Sequence, residues 1–126
     1  MVVAAWHDAV NRGDADALVA LSHDEIEVGG PRGSAYGAGV LRDWVARAGI
    51  RLEPLRWFQR GEDLVVEEIA TWRDPGSGQP TDPATVASVF AVDGGRVRKV
   101  IRYDTLDAAL SATDPGEANE INPPPN

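Results

Sequence analysis

The sequence predicts an α+β fold built as a single domain, and three observations carry that prediction. Apolar residues recur at helical spacing through the first third of the chain. From residue 52 the period becomes strand-like, with short turn signals between runs rich in Val, Ile, Thr and Trp. The chain has 126 residues, 43% of them hydrophobic, which suits one domain able to bury a core without crosslinks. Helices followed by an antiparallel meander give the α+β pattern.

The first helix rests on Val2, Val3, Trp6, Ala9 and Val10, which share one face. Gly13 can stop it, and Asp14 can cap a short second helix carrying Leu18 and Leu21. Residues 25–28 are expected to form a brief strand, and residues 29–33, with three glycines and a proline, a loop. A third helix over 38–48 places Val40, Leu41, Trp44, Val45 and Ala48 in one stripe, with Gly49 as its stop. Four strands follow, over 52–60, 64–73, 84–92 and 96–103. The turn at 61–63 is tight, the loop at 74–82 holds two prolines and two glycines, and Asp93-Gly94-Gly95 is the strongest hairpin signal. Asp104 or Thr105 can cap a last short helix with Leu106, Ala109 and Leu110. The folded domain is expected to end near residue 111. Residues 112–126, acidic and closing on three consecutive prolines, are expected to be a disordered tail.

Composition excludes several partners. The formal net charge is −8, and the 12 Lys and Arg form no basic run among 20 Asp and Glu. Nucleic acid and anionic membrane surfaces, which need positive counter-charge, are not expected partners. The absence of cysteine rules out disulfides, thiolate metal sites and cysteine nucleophiles, and suits a reducing cytoplasm. No apolar stretch approaches the ~20 residues that span a bilayer, and no leader pattern opens the chain.

Residues 5–18 (AWHDAVNRGDADAL) resemble the opening helix pair of the nuclear transport factor 2-like superfamily. Residues 21–33 (LSHDEIEVGGPRG) are similar to its first strand and loop, and residues 97–104 to its final strand. The resemblance runs to about Leu110, so the domain is taken as residues 1–111. It implies a cone-shaped, curved, mostly antiparallel sheet with three helices closing an apolar pocket. It also implies frequent homodimers through the outer sheet face. Members include ketosteroid isomerases, limonene-type epoxide hydrolases, SnoaL-like polyketide cyclases, scytalone dehydratases and non-catalytic binding proteins, so fold alone does not decide function.

Matching to the isomerases puts their catalytic base at Gly30 and their two oxyanion donors at Trp6 and Ser88. None of these can act as a carboxylate base or a phenolic acid, so ketosteroid-type chemistry is not expected. The hydrolase pattern of carboxylate, arginine and carboxylate finds a counterpart. Arg102 and Asp104 share a face of the last strand with Val100, and Glu68 shares one of the second long strand with Val66, Ala70 and Trp72. Glu68, Arg102 and Asp104 are therefore the candidate catalytic set, with Glu68 or Asp104 moving the proton and Arg102 orienting it. The same trio can instead be a self-satisfied ion-pair network. A one-residue slip would exchange Glu68 for Glu67 and turn Arg102 outward.

Trp6, Tyr36, Trp44, Trp72, Ser88 and Val100 are the candidate ligand-binding residues, while Trp57 is read as core or dimer contact. His7 and His23 have no partner at metal-ligand spacing and are expected at solvent-facing or helix-end positions, with His7 as a pocket-rim base the secondary reading. The glycine-rich loop lacks the phosphate-binding spacing, but its Arg32, with Tyr36, can meet a ligand at the pocket mouth. The leading expectation is a SnoaL-like acid–base enzyme acting on a small, apolar, cyclic molecule without metal or organic cofactor. A non-catalytic ligand-binding module is the alternative, and a dimeric interaction domain with a filled pocket the third.

Overall fold

The elements follow from the patterns above in a computed structural model that describes residues 2–30, 32–60, 62–73, 76–113 and 119–121. Helix α1 (Val2–Arg12) buries Val3, Trp6, Ala9 and Val10. Asp14 caps α2 (Ala15–Ala20), its carboxylate accepting the Ala17 N–H at 3.1 Å. Helix α3 (Ala38–Ala48) buries Leu41 and Val45 and ends at Gly49, whose φ of 53° is the left-handed conformation that glycine adopts without a Cβ penalty. Helix α4 (Leu106–Ser111) starts from Thr105, whose hydroxyl accepts the Ala108 N–H at 3.1 Å.

Seven strands make one curved, unclosed sheet in the order β2-β1-β6-β5-β4-β3-β7. They are β1 (Ser22–Gly30), β2 (Gly33–Tyr36), β3 (Arg51–Arg60), β4 (Asp63–Thr71), β5 (Ala84–Asp93), β6 (Arg96–Tyr103) and β7 (Asn119–Ile121). Among the described residues only β1 and β6 run parallel. Bulges interrupt β3 at Leu55, between Pro54 and Arg56, and β6 at Arg98, between Val97 and Lys99, where the extra residue bends the strand. Gly94 and Gly95, with φ of 61° and 79°, make the predicted two-residue turn between β5 and β6.

The first strand is longer than the expected 25–28, and β2 was not expected at all. Gly33, Ser34 and Ala35 have little strand propensity and stay exposed, so β2 exists through its backbone pairing with β1. Residues Asn119–Ile121, inside the stretch expected to be disordered, pair with β3 through Trp57↔Ile121, and Arg56 clasps Glu120 in a bidentate pair at 2.9 and 3.0 Å. Residues 114–118 and 122–126 of that expected tail lie outside the described residues, as do Pro31, Gly61, Asp74 and Pro75 of the expected turns.

Helices α1, α2 and α3 cover one face of the sheet. There Trp6, Leu18, Leu41 and Val45 meet Ile26, Val66, Phe90 and Val100. Full burial of Trp6 alone removes on the order of 200 Å² from water, a gross gain of about 5 kcal/mol. Asn11 fastens α1 to β3: its amide accepts the Leu52 N–H at 2.7 Å and donates to the Leu52 carbonyl at 2.9 Å. The fourth helix lies on the opposite face, where Ala109 packs with Phe58, Val65, Ala87 and Val89. Three helices therefore close the hollow side, as expected, and α4 covers part of the outer side. Among the described residues no helix is long and apolar enough to cross a membrane.

Candidate functional site

Between the sheet's inner face and the helices lies a cavity of about 480 Å³, within the range of small-molecule sites. Its apolar wall is made by Trp6, Trp44, Val28, Ile50, Leu52 and Val100. The rings of Trp6 and Trp44 stack, with centroids 6.0 Å apart and planes 25° off parallel. The turn and strand after β1 supply a polar rim with Arg32 and Ser34. Two polar side chains stand in the wall itself, Ser88 and Arg102. They sit directly opposite each other on β5 and β6, so one ligand group can meet both.

Arg102 is held by stacking. Its guanidinium lies 5.1 Å from the Trp72 ring centre, a cation–π contact that fixes a flexible side chain near the cavity. Trp72 thus touches Arg102 and is not among the cavity's lining residues. Asp104 is exposed and borders a second hollow with Arg32 and Arg102, outside the apolar cavity. Tyr36 is 65% exposed on the edge strand β2, because no strand lies beyond it to cover the ring. The indole N–H of Trp6 points away from any ligand role: it donates to the Ser22 hydroxyl at 3.2 Å, and that hydroxyl donates to the Leu18 carbonyl at 2.8 Å.

The strand register turns Glu68 inward, and Glu67, its neighbour, is only half-buried. Glu68 does not converge with Arg102 and Asp104. It is wholly buried, and its two carboxylate oxygens are held by His7 and Ser88: Nε2 of His7 lies 2.5 Å from Oε2, and the Ser88 hydroxyl donates to Oε1 at 2.7 Å. His7 is 1% exposed, boxed by the rings of Trp6, Trp57 and Phe90, with centroids 5.3–6.1 Å away. The expectation of a solvent-facing His7 is corrected accordingly. His23, by contrast, is half-buried and makes a 2.7 Å hydrogen bond to the Asp93 carbonyl. The sequence does carry a signal for this burial: Val3, His7 and Val10 fall on one helical stripe, so His7 interrupts an otherwise apolar row.

The hydrogen bonds fix how many protons the pair holds. Nδ1 of His7 lies 2.8 Å from the Val3 carbonyl, which only accepts, so Nδ1 carries a proton. Between Nε2 and Oε2 there is then room for one proton, whichever atom holds it. His7 and Glu68 together are neutral, which is why two titratable groups tolerate full burial among aromatic rings. Ser88 alone of the three lines the cavity. Among the described residues no group of three or more His, Asp or Glu is placed to hold a metal ion.

No curated protein matches the chain. Among solved structures, a candidate polyketide cyclase from Sinorhizobium meliloti is 28% identical, over 80% of this chain and 92% of its own, with a TM-score of 0.67. An LEH-like epoxide hydrolase from M. tuberculosis (21% identity, 87% and 84% coverage, TM-score 0.70) shares the fold. So does the epoxide hydrolase/cyclase-like enzyme SalBIII of pyran ring formation in salinomycin (19%, 84% and 89%, 0.71). The sequence profile of the SnoaL-like domain matches residues 3–100, and the chain belongs to this SnoaL-like family of the nuclear transport factor 2-like superfamily.

Proposed function

We propose that the cavity binds a small, largely apolar, cyclic molecule, with its polar end against Arg102 and Ser88. We propose also that the protein acts on it as a SnoaL-like enzyme of the cyclase, isomerase or epoxide hydrolase kind. The observation that carries this reading is the pairing of a stacked Trp6–Trp44 wall with one cation and one hydroxyl side by side. Such a wall favours flat rings, and the Arg102 guanidinium favours a carbonyl, enolate or carboxylate oxygen, while the Ser88 hydroxyl, its proton given to Glu68, can only accept from a ligand. The likeness to a candidate polyketide cyclase supports a cyclic, oxygen-bearing substrate. Of the expected catalytic set, Arg102 takes a different role, meeting ligand charge instead of orienting a carboxylate, and Asp104 stands at the mouth. Tryptophan fluorescence tests the reading. Naphthoate should quench Trp6 and Trp44 emission with a Kd in the micromolar range, and methylnaphthalene should bind at least tenfold more weakly. Equal binding of the two would remove Arg102 from recognition.

A non-catalytic binding module is the second reading, favoured by one fact: both oxygens of Glu68 already have partners. Assembly belongs to the same proposal. The outer sheet face beyond α4 carries half-buried Ile69 paired with Thr85, and a homodimer through that face is expected in sedimentation experiments. A monomer at all accessible concentrations would contradict it.

A further inference from the structure

A second hollow of about 430 Å³ opens beside the apolar cavity, bounded by Gly30, Arg32, Gly33, Arg102 and Asp104. Gly30, Arg32, Gly33 and Arg102 line both spaces, so the two meet at the turn after β1. Glycine keeps the junction open. A Cβ at Gly33 would find nothing within 4 Å, and one at Gly30 would meet only the Arg102 carbonyl, at 4.0 Å.

The hollow brings together two cations that nothing in the chain neutralises. Arg12, Arg42 and Arg56 pair with Asp14, Asp16 and Glu120. Arg32 and Arg102, among the described residues, have neither an ion pair nor a side-chain hydrogen bond, and Asp104 on the border is paired with neither. Trp72 holds the Arg102 guanidinium at 5.1 Å without offering it an oxygen or nitrogen acceptor. Two guanidiniums on one hollow repel each other, and in a chain of net charge −8 they are a local exception. An oxyanion between them relieves both. A carboxylate has two oxygens, which a single guanidinium fork fills. A phosphomonoester has three free oxygens and nearly two negative charges at neutral pH, enough for two guanidiniums. Asp104 opposes any anion from the border, so a singly charged group gains little there and a doubly charged one is favoured. The glycine-rich loop lacks phosphate-binding loop spacing, so recognition falls to side chains and not to backbone N–H groups.

We propose that this hollow is a phosphate subsite held by Arg32 and Arg102, and that the ligand is a phosphomonoester whose ring occupies the apolar cavity. The placement of the ring rests on the binding reading above, and that of the phosphate on the hollow alone. The phosphate spans the two arginines at the mouth, and the ring runs past Gly30 and Gly33 to the Trp6–Trp44 wall. Arg102 serves both readings, and Arg32 is the residue that the phosphate adds.

Two titrations test this. In the first, inorganic phosphate is added to ¹⁵N-labelled protein and the arginine Nε–H signals are followed by NMR. Arg32 and Arg102 should shift in a saturable way. Arg32 is exposed and unpaired, so Arg32→Ala leaves the fold intact, and it should weaken phosphate binding about fivefold, the effect of one exposed ion pair. No saturable shift at either arginine overturns the subsite, whatever the cavity binds. In the second, 1-naphthyl phosphate and naphthoate are compared by tryptophan quenching. The native protein should prefer the phosphate about fivefold near pH 7.5 and approach parity near pH 5, where the phosphate has lost its second charge. Arg32→Ala should abolish the preference. An undiminished preference in Arg32→Ala, or naphthyl phosphate binding no tighter than inorganic phosphate, overturns the joined ligand. Saturable arginine shifts with no quenching by either naphthalene compound support the subsite and refute the binding reading of the cavity.

Discussion

Replacing Glu68 by two different side chains separates charge from hydrogen bonding in the core. Glu68→Leu removes the acceptor of the Ser88 hydroxyl and the partner of His7 Nε2, 2.7 and 2.5 Å away in the native chain. The two groups left behind are 2% and 1% exposed, so water cannot easily replace the lost partner. Each orphaned buried polar group costs about 1–3 kcal/mol, and breaking a buried ionisable pair costs about 3–5 kcal/mol in all. Against this, leucine returns some apolar contact with Val66 and Phe90. A net loss of about 3 kcal/mol is expected, a large share of a typical domain's 5–15 kcal/mol. Glu68→Gln preserves both hydrogen bonds and the neutral charge of the pair, so its cost should stay near about 1 kcal/mol. Urea unfolding followed by near-UV circular dichroism measures both, read as midpoint shifts at constant m. If the glutamine variant were as unstable as the leucine variant, the neutral, singly protonated description of the pair would be wrong.

Three other consequences follow from the fold. Asn11→Ala should cost about 2–3 kcal/mol in the same unfolding assay, since both backbone groups of Leu52 lose their partner at once. Gly29→Ala should cost about 1–2 kcal/mol, because a Cβ there meets Ser34 Oγ at 2.4 Å and Ile101 Cδ1 at 2.7 Å. Gly30→Ala, whose Cβ would find its nearest neighbour at 4.0 Å, should be close to neutral. The last concerns β7. The hydrogen bond from Arg56 holds the Glu120 carboxyl below its ordinary value, and Glu120 in turn raises the Arg56 guanidinium. A depressed carboxylate stabilises the folded form above its unfolded value and loses that effect as pH falls through the folded one. Protection of the β3 amides that pair with β7 should therefore weaken below about pH 4, and hydrogen exchange in Arg56→Ala should show no such step.

Most of the fold could be read from periodicity. The stripe of Val3, Trp6, Ala9 and Val10 and the alternation of Leu64, Val66, Glu68 and Ala70 each report a buried face directly. What escaped was set by tertiary pairing. Strand β2 has no apolar pattern because neither of its faces is buried, and β7 depends on Ile121 meeting Trp57 across a long sequence gap. The candidate site divides in the same way. Alternation sufficed to turn Glu68 and Arg102 to the inner face. Which partner each would meet depended on the diagonal placement of Ser88 and on how α1 lies over β4, neither of which local spacing encodes. The burial of His7 departs from expectation because an isolated histidine at a stripe position has no partner nearby in sequence. Its partner stands 61 residues away.

Recognition in the cavity is proposed to rest on a ligand oxygen held at Arg102. The most direct measurement is the difference in binding free energy between naphthoate and methylnaphthalene, taken for the native protein and for Arg102→Leu by fluorescence titration. A buried charge-assisted contact is worth about 1.5–3 kcal/mol, or about 10- to 100-fold in Kd. The native protein should prefer naphthoate by that factor, and Arg102→Leu should lose the preference while still binding methylnaphthalene. An undiminished preference in Arg102→Leu, or no binding of either compound by the native protein, would rule out recognition through Arg102.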